Sequence, residues 1–75
     1  MKTKRTPLTP IQILRLMDML RIDQVIVSAD LVEVIVNGYI RRIEIKYEDH
    51  EESVYAPDED MDYILNGIKL ERNEK

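Results

Sequence analysis

Apolar residues recur with a helical period near the start of the chain. Thr9 is a favourable helix N-cap, Pro10 suits the first helical position, and Gln12 lies three residues after the cap. This arrangement is a capping box, and it predicts a helix over about residues 10–21. At the helical period, the main apolar face comprises Ile13, Leu16, Met17 and Leu20.

Further apolar residues lie outside this main face of the predicted helix. Ile11, Leu14 and Met19 fall on its flanks or on its far side. A surface helix of a small monomer normally has a clear polar half. We therefore predict that this helix is covered on more than one side, and that Ile11, Leu14 and Met19 belong to an interface.

Two β-branched runs follow, after a short one at residues 25–27. Residues 31–36 and 39–47 both favour strands, and Asn37-Gly38 between them is the preferred sequence of a type I′ hairpin turn. A two-residue turn would fix the register. It would place Val32 opposite Ile43, with Tyr39 and Tyr47, on the core face, and it would pair Ile35 with Ile40 on the outer face. That outer apolar pair predicts further interface residues, Ile35 and Ile40.

The second half of the chain predicts a turn, a return strand and a helix. Residues 49–52 favour the turn and residues 53–56 the strand, and the next apolar stripe comprises Met61, Ile64, Leu65 and Ile68. The helix is expected over residues 58–66, because Gly67 is a normal helix stop. Ile68 and Leu70 are candidates for a short edge strand.

These elements predict an α+β fold. It has an N-terminal helix, an antiparallel sheet of three to four strands with an Asn-Gly hairpin, and a short C-terminal helix. Residues 1–8 are expected to form a flexible basic arm, residues 9–71 a single domain, and residues 72–75 a frayed tail.

Composition narrows the function classes. A chain of 75 residues builds a marginal core, and with no Cys and one His it offers neither a disulfide nor a zinc site of ordinary ligands. We predict no cofactor and no metal, and oligomerisation remains as the common source of extra stability. The absence of Cys and of any apolar run near the roughly 18 residues of a membrane span predicts a cytoplasmic protein without membrane partners.

Charge is unevenly distributed along the chain. The net charge is −4, yet residues 1–21 carry five Lys or Arg and one Asp. Residues 48–62 carry eight Asp or Glu and no Lys or Arg. The molecule therefore has a basic start and one strongly acidic segment.

No arrangement of residues points to catalysis. Asp58, Asp60 and Asp62 have the spacing of an EF-hand start, but the sixth and twelfth loop positions hold Tyr63 and Lys69 in place of Gly and Glu. His50 lies among carboxylates in a predicted turn, and an ordinary solvent-exposed turn accounts for this cluster of polar residues. A catalytic general base, by contrast, needs a pocket and a positioned partner. We predict that the protein is not an enzyme.

The favoured hypothesis is a small non-catalytic protein-interaction or regulatory module. It would act as a homodimer, or as a subunit or inhibitor of a larger partner. One alternative is a nucleic-acid-associated regulator, with Lys2, Lys4 and Arg5 contacting phosphates. The other is an acidic surface that mimics nucleic acid, formed by residues 48–62.

Overall fold

The computed structural model describes residues 2–68. Its elements are β1 (Lys2–Pro7), α1 (Pro10–Leu20), β2 (Ile26–Ile35), β3 (Tyr39–Tyr47), β4 (Glu51–Val54) and α2 (Asp58–Asn66). The strands form one antiparallel sheet in the order β1-β2-β3-β4. The α+β class is confirmed. Leu70 and the predicted tail at residues 72–75 lie outside the described residues.

The first described element is a strand, and not the flexible arm that was predicted for residues 2–7. β1 pairs along its whole length with β2, from Lys2 opposite Ile35 to Pro7 opposite Asp30. The helix is therefore the second element and not the first. Lysine and proline are tolerated here because β1 lies at the edge of the described sheet, where such residues are common.

The first helix begins as predicted. The Thr9 side chain accepts a hydrogen bond from the Gln12 backbone N–H at 3.3 Å, and the Gln12 side chain accepts one from the Thr9 N–H at 2.8 Å. The capping box is therefore present. The second helix ends at Gly67, whose φ of 74° places it in the left-handed region, as expected for a helix stop.

Both helices contribute to a core on one face of the sheet, which we call the helix face. The buried cluster comprises Leu8, Leu16, Ala29, Ile43, Ile45, Tyr47, Met61 and Ile64. Met19, which was predicted to belong to an interface, is partly buried and packs against this cluster. The reason is helical geometry, since Met19 lies three residues after the buried Leu16 and therefore beside it.

Polar residues of α1 bind the end of α2. The Gln12 amide donates to the Leu65 carbonyl at 3.0 Å, and the Arg15 guanidinium donates to the Ile64 carbonyl at 3.4 Å. Carbonyl groups in the last turn of a helix lack partners within the helix and carry partial negative charge. These contacts explain why the polar residues of α1 do not form a single solvent-facing stripe.

The register of β2 and β3 differs by one residue from the predicted register. Ile35 lies opposite Tyr39, and residues 36–38 connect the strands. Val36 is taken into the turn because its N–H donates to the Gly38 carbonyl at 3.1 Å. A shift of one residue changes which side chains share a face. Ile35 is therefore on the helix face, and Ile40 is on the opposite, outer face beside Val34.

An engineered disulfide tests this register. Glu33 and Arg41 are directly opposite each other, so cysteines at both positions have Cβ atoms close enough to bond. We expect E33C/R41C to close a disulfide under mild oxidation, with loss of both free thiols. The control E33C/R42C, which the predicted register would join, should keep its thiols because Arg42 is on the other face. The reverse pattern would restore the predicted two-residue turn.

Candidate interaction surface

The end of the sheet nearest the β2–β3 turn carries several exposed apolar side chains. Ile35, Val36, Tyr39 and Ile40 are 53%, 42%, 56% and 51% exposed, and we call these four residues the hairpin-end surface. Tyr39 was expected in the core, which is wrong. It is on the helix face, but the buried residues of β3 are further along the strand, from Ile43 to Tyr47.

β1 brings cations to this surface. Lys2 lies opposite Ile35 and Lys4 lies opposite Glu33, so all four residues are on the helix face. With Thr3 and Tyr39 they line an open depression of about 390 Å³. The structure thus joins the predicted interface residue Ile35 with two residues that were predicted as nucleic-acid contacts. Glu33 and Tyr39 were missed because the predicted register separated them.

Among residues 2–68, the two lysines of the depression have no ion-pair partner, and the carboxylate that lines it, Glu33, accepts a hydrogen bond from Tyr39. The Tyr39 hydroxyl donates a hydrogen bond to Glu33, and this bond raises the pKa of Tyr39. Within residues 2–68, neither Lys2 nor Lys4 lies within salt-bridge distance of a carboxylate. A ligand with anionic and apolar groups therefore finds partners for both here.

A further cation borders the hairpin-end surface. The Arg41 guanidinium carbon lies 5.9 Å from the centroid of the Tyr39 ring, within the range of a cation–π contact. Arg41 also forms an ion pair of 2.9 Å with Asp58 at the start of α2. These contacts hold Tyr39 from two sides, since its hydroxyl is bound to Glu33. The exposed ring is therefore held in one orientation.

Arg5 belongs to a different group of residues. It points to the outer face, where its guanidinium lies 3.2 Å from Asp30 and 2.8 Å from Glu44. The bond to Glu44 is the main reason that the pKa of Arg5 is raised. Arg42 reaches Glu44 as well, at 2.8 Å. Arg5 is therefore already neutralised, whereas Lys2 and Lys4 have no carboxylate partner in the described part of the chain.

The remaining predicted interface residues lie apart from the depression. Ile11 and Leu14 are 56% and 63% exposed on α1. Neither residue lines the depression. Ile40 is on the outer face and contributes to the hairpin-end surface only from that side. Of the five predicted interface residues, only Ile35 lines the depression, while Met19 is part of the core packing.

The acidic segment is spread over a turn, β4 and the start of α2. Three acidic residues, Asp58, Glu59 and Asp60, occupy the first turn of α2, where negative charge favours the helix dipole. In the turn before β4, the His50 ring stacks on Tyr47 with centroids 4.6 Å apart. Part of the acidic charge therefore serves local structure.

We expect the His50 ring to titrate above its ordinary pKa of 6.5. Its nitrogens lie 2.6 Å from an oxygen of Asp49 and 3.1 Å from one of Glu52, and Asp49 is the larger cause of the raised pKa. Since the folded pKa is the higher one, protonated His50 stabilises the turn below pH 6.5. That contribution disappears as the pH rises through the folded pKa.

Nuclear magnetic resonance can follow this titration directly, because the chain has one His. Asp49→Asn should lower the midpoint by more than Glu52→Gln does. An unshifted midpoint in the native chain, or no response to Asp49→Asn, would contradict the geometry of this turn.

Within residues 2–68, no three His, Asp or Glu side chains are grouped so that they would hold a metal ion. No helix in that part of the chain has the length and apolar character needed to span a membrane. Comparison with known proteins gives no match to a family model, a curated protein or a solved structure.

Proposed function

We propose that this chain is a non-catalytic protein-interaction module that binds its partner through the hairpin-end surface. The observation that carries the proposal is the group of four exposed apolar side chains at one end of the sheet, Ile35, Val36, Tyr39 and Ile40. Single exposed apolar residues are common, whereas several of them at one end of a sheet, beside charged residues, favour an interaction site.

The composition of this surface supports a protein partner. Tyrosine is enriched at protein interfaces because its ring supplies apolar area and its hydroxyl supplies a hydrogen bond. Tyr39 is half exposed, and its orientation is fixed by Glu33 and Arg41. Little side-chain entropy would therefore be lost when a partner covers this ring.

Nucleic acid is the second candidate partner, and the charges favour it less. Of the three cations proposed to contact phosphate, Arg5 is paired with two carboxylates. Arg41, a further cation beside this surface, is paired with Asp58 at 2.9 Å, so a phosphate backbone would find few unpaired cations here. The acidic-mimic alternative rests on charge alone, and part of that charge is bound by His50 and Arg41.

Light scattering over a concentration series tests whether the partner is a second copy. The variant I35S/I40S removes apolar groups from both faces of the hairpin end. Val25→Ser is the matched control, because Val25 is 76% exposed and precedes β2 at the opposite end of the sheet. If the native chain dimerises, we expect I35S/I40S to weaken the dimer about tenfold or more and Val25→Ser to leave it unchanged.

If the native chain is monomeric, the same variants serve in affinity capture from the native cell extract. A protein retained by the native chain and by Val25→Ser, but lost with I35S/I40S, would support the proposal. A monomer whose retained proteins are the same for all three chains would refute it.

A further inference from the structure

Among residues 2–68, no strand pairs with the outer edge of β1, so its outward backbone groups have no strand partner there. All six residues of β1 are exposed, and β2 is the strand beside it in the described sheet. The Leu8 N–H donates to the Ala29 carbonyl at 2.9 Å, so residue 8 directs its N–H toward β2. Directions alternate along an antiparallel strand. The N–H groups of Thr3 and Arg5 therefore point away from the sheet.

Pro7 agrees with this alternation. Pro7 is an alternate residue of the strand together with Thr3 and Arg5, so the N–H that proline lacks would have pointed away from β2. No bond to β2 is therefore lost at this position. The edge thus offers two N–H donors, from Thr3 and Arg5, and the carbonyl groups of the residues that point outward with them. An extended segment placed alongside β1 would find partners for its own backbone groups.

We propose that this edge binds an extended acidic polypeptide segment by strand addition, with carboxylates of the segment facing Lys2 and Lys4. This inference rests on the proposed function, because it names the class of partner and the way in which it binds beside the hairpin-end surface. It also assigns Lys2 and Lys4 to recognition of a protein.

The charge pattern of β1 determines which spacing of acidic residues the bound segment needs. Lys2 and Lys4 are two residues apart and share the helix face, so they fit two acidic side chains with the same spacing. Arg5 is on the outer face, where Asp30 and Glu44 already neutralise it. The segment therefore needs acidic residues at alternate positions, with charge on one face only.

A second copy of this chain fits the edge less well. Pairing β1 with another β1 would bring Lys2, Lys4 and Arg5 near their own like charges, which destabilises cross-strand pairs. β4 is the acidic edge, but Glu51 and Glu52 are consecutive, so their side chains point to opposite faces. It cannot place two carboxylates on the face of Lys2 and Lys4.

The test uses the whole chain and a short, end-blocked peptide of alternating glutamate and valine. A matched peptide of alternating lysine and valine controls for backbone pairing without charge complementarity. Binding is measured by fluorescence anisotropy of labelled peptide, and amide exchange identifies the protected groups. We expect the glutamate peptide to bind about tenfold or more tightly than the lysine peptide, and to protect the amides of Thr3 and Arg5.

Two variants separate the contribution of backbone hydrogen bonds to peptide binding from the contribution of the lysine charges. Thr3→Pro removes an outward N–H while leaving the bonds to β2, and Thr3→Val keeps that N–H as the control. We expect Thr3→Pro to weaken glutamate-peptide binding about fivefold to tenfold and Thr3→Val to leave it within about twofold. The variant K2Q/K4Q should lose the preference for glutamate over lysine. Circular dichroism confirms that each variant is folded.

Other outcomes overturn the inference. Equal binding of both peptides, no binding, or protection of amides away from β1 would each do so. Tighter binding of oligothymidylate that Thr3→Pro does not weaken would assign the lysines to nucleic acid instead. These failures are distinct from failure of the proposed function, because I35S/I40S and Val25→Ser test the hairpin-end surface without changing β1.

Discussion

Replacing Leu16 by alanine is expected to lower the free energy of unfolding by roughly 2–5 kcal/mol. Leu16 has no exposed surface, and it is the only residue of α1 that is fully buried. Its truncation removes apolar contacts and leaves a cavity between α1 and the sheet. A domain of this size has a total stability of only about 4–10 kcal/mol, so a large part would be lost.

Leu14→Ala is the matched control on the same helix. Leu14 is 63% exposed, so the same chemical change should cost less than about 1 kcal/mol. Urea unfolding followed by circular dichroism measures both variants, and the midpoint shifts give the comparison. The measurement is made at the lowest workable protein concentration, which keeps any self-association small.

The pair of variants also examines the prediction that α1 is covered on more than one side. Equal losses for Leu16→Ala and Leu14→Ala would mean that Leu14 is buried in solution by a partner copy. In that case the loss at Leu14 should grow with protein concentration, because an oligomer is stabilised by mass action. A small loss at Leu14 at every concentration would remove this surface of α1 as a self-interface.

The two helices were predictable from sequence because their signals are local. The capping box of Thr9 and Gln12 and the glycine stop at Gly67 each involve residues within one helical turn of the helix end. Such signals depend little on the rest of the fold. The α+β class followed from these helices and from the β-branched runs between them.

The register and the first strand depend on contacts that are distant in sequence. Asn37-Gly38 predicted a two-residue turn, but the bond from Val36 to Gly38 takes a third residue into the connection. β1 is polar and charged, so its pattern resembled a flexible arm, and it was found only through its pairing with β2. The depression depends on both features, which is why sequence reasoning named Lys2, Lys4 and Ile35 without placing them together.

Replacing Val32 by alanine should reveal a second small buried region, on the outer face of the sheet. Val32 is fully buried, yet it is not in the helix-face cluster, because the observed register places it on the outer face. Its direct neighbours across the two adjacent strands are Arg5 and Arg42. Both guanidinium groups meet Glu44, at 2.8 Å each, so their aliphatic stems flank the valine.

We expect Val32→Ala to cost roughly 1–3 kcal/mol in urea unfolding, as for other buried truncations. The predicted register would also bury Val32, but against the helices and independently of the arginines. Arg42→Ala distinguishes the two arrangements, because it removes the stem that covers Val32 and leaves the helix-face core intact.

A double-mutant cycle then gives the decisive comparison. If Arg42 covers Val32, the loss from Val32→Ala should be smaller in the Arg42→Ala background, where the valine is already partly exposed. We expect a coupling of about 0.5–1.5 kcal/mol, which is typical of residues in contact. The cycle of Leu14→Ala with Arg42→Ala is the control, since Leu14 is exposed on α1 and Arg42 lies on the outer face of the sheet. Additive losses for Val32 and Arg42 would mean that Val32 is buried by something other than the arginine stems.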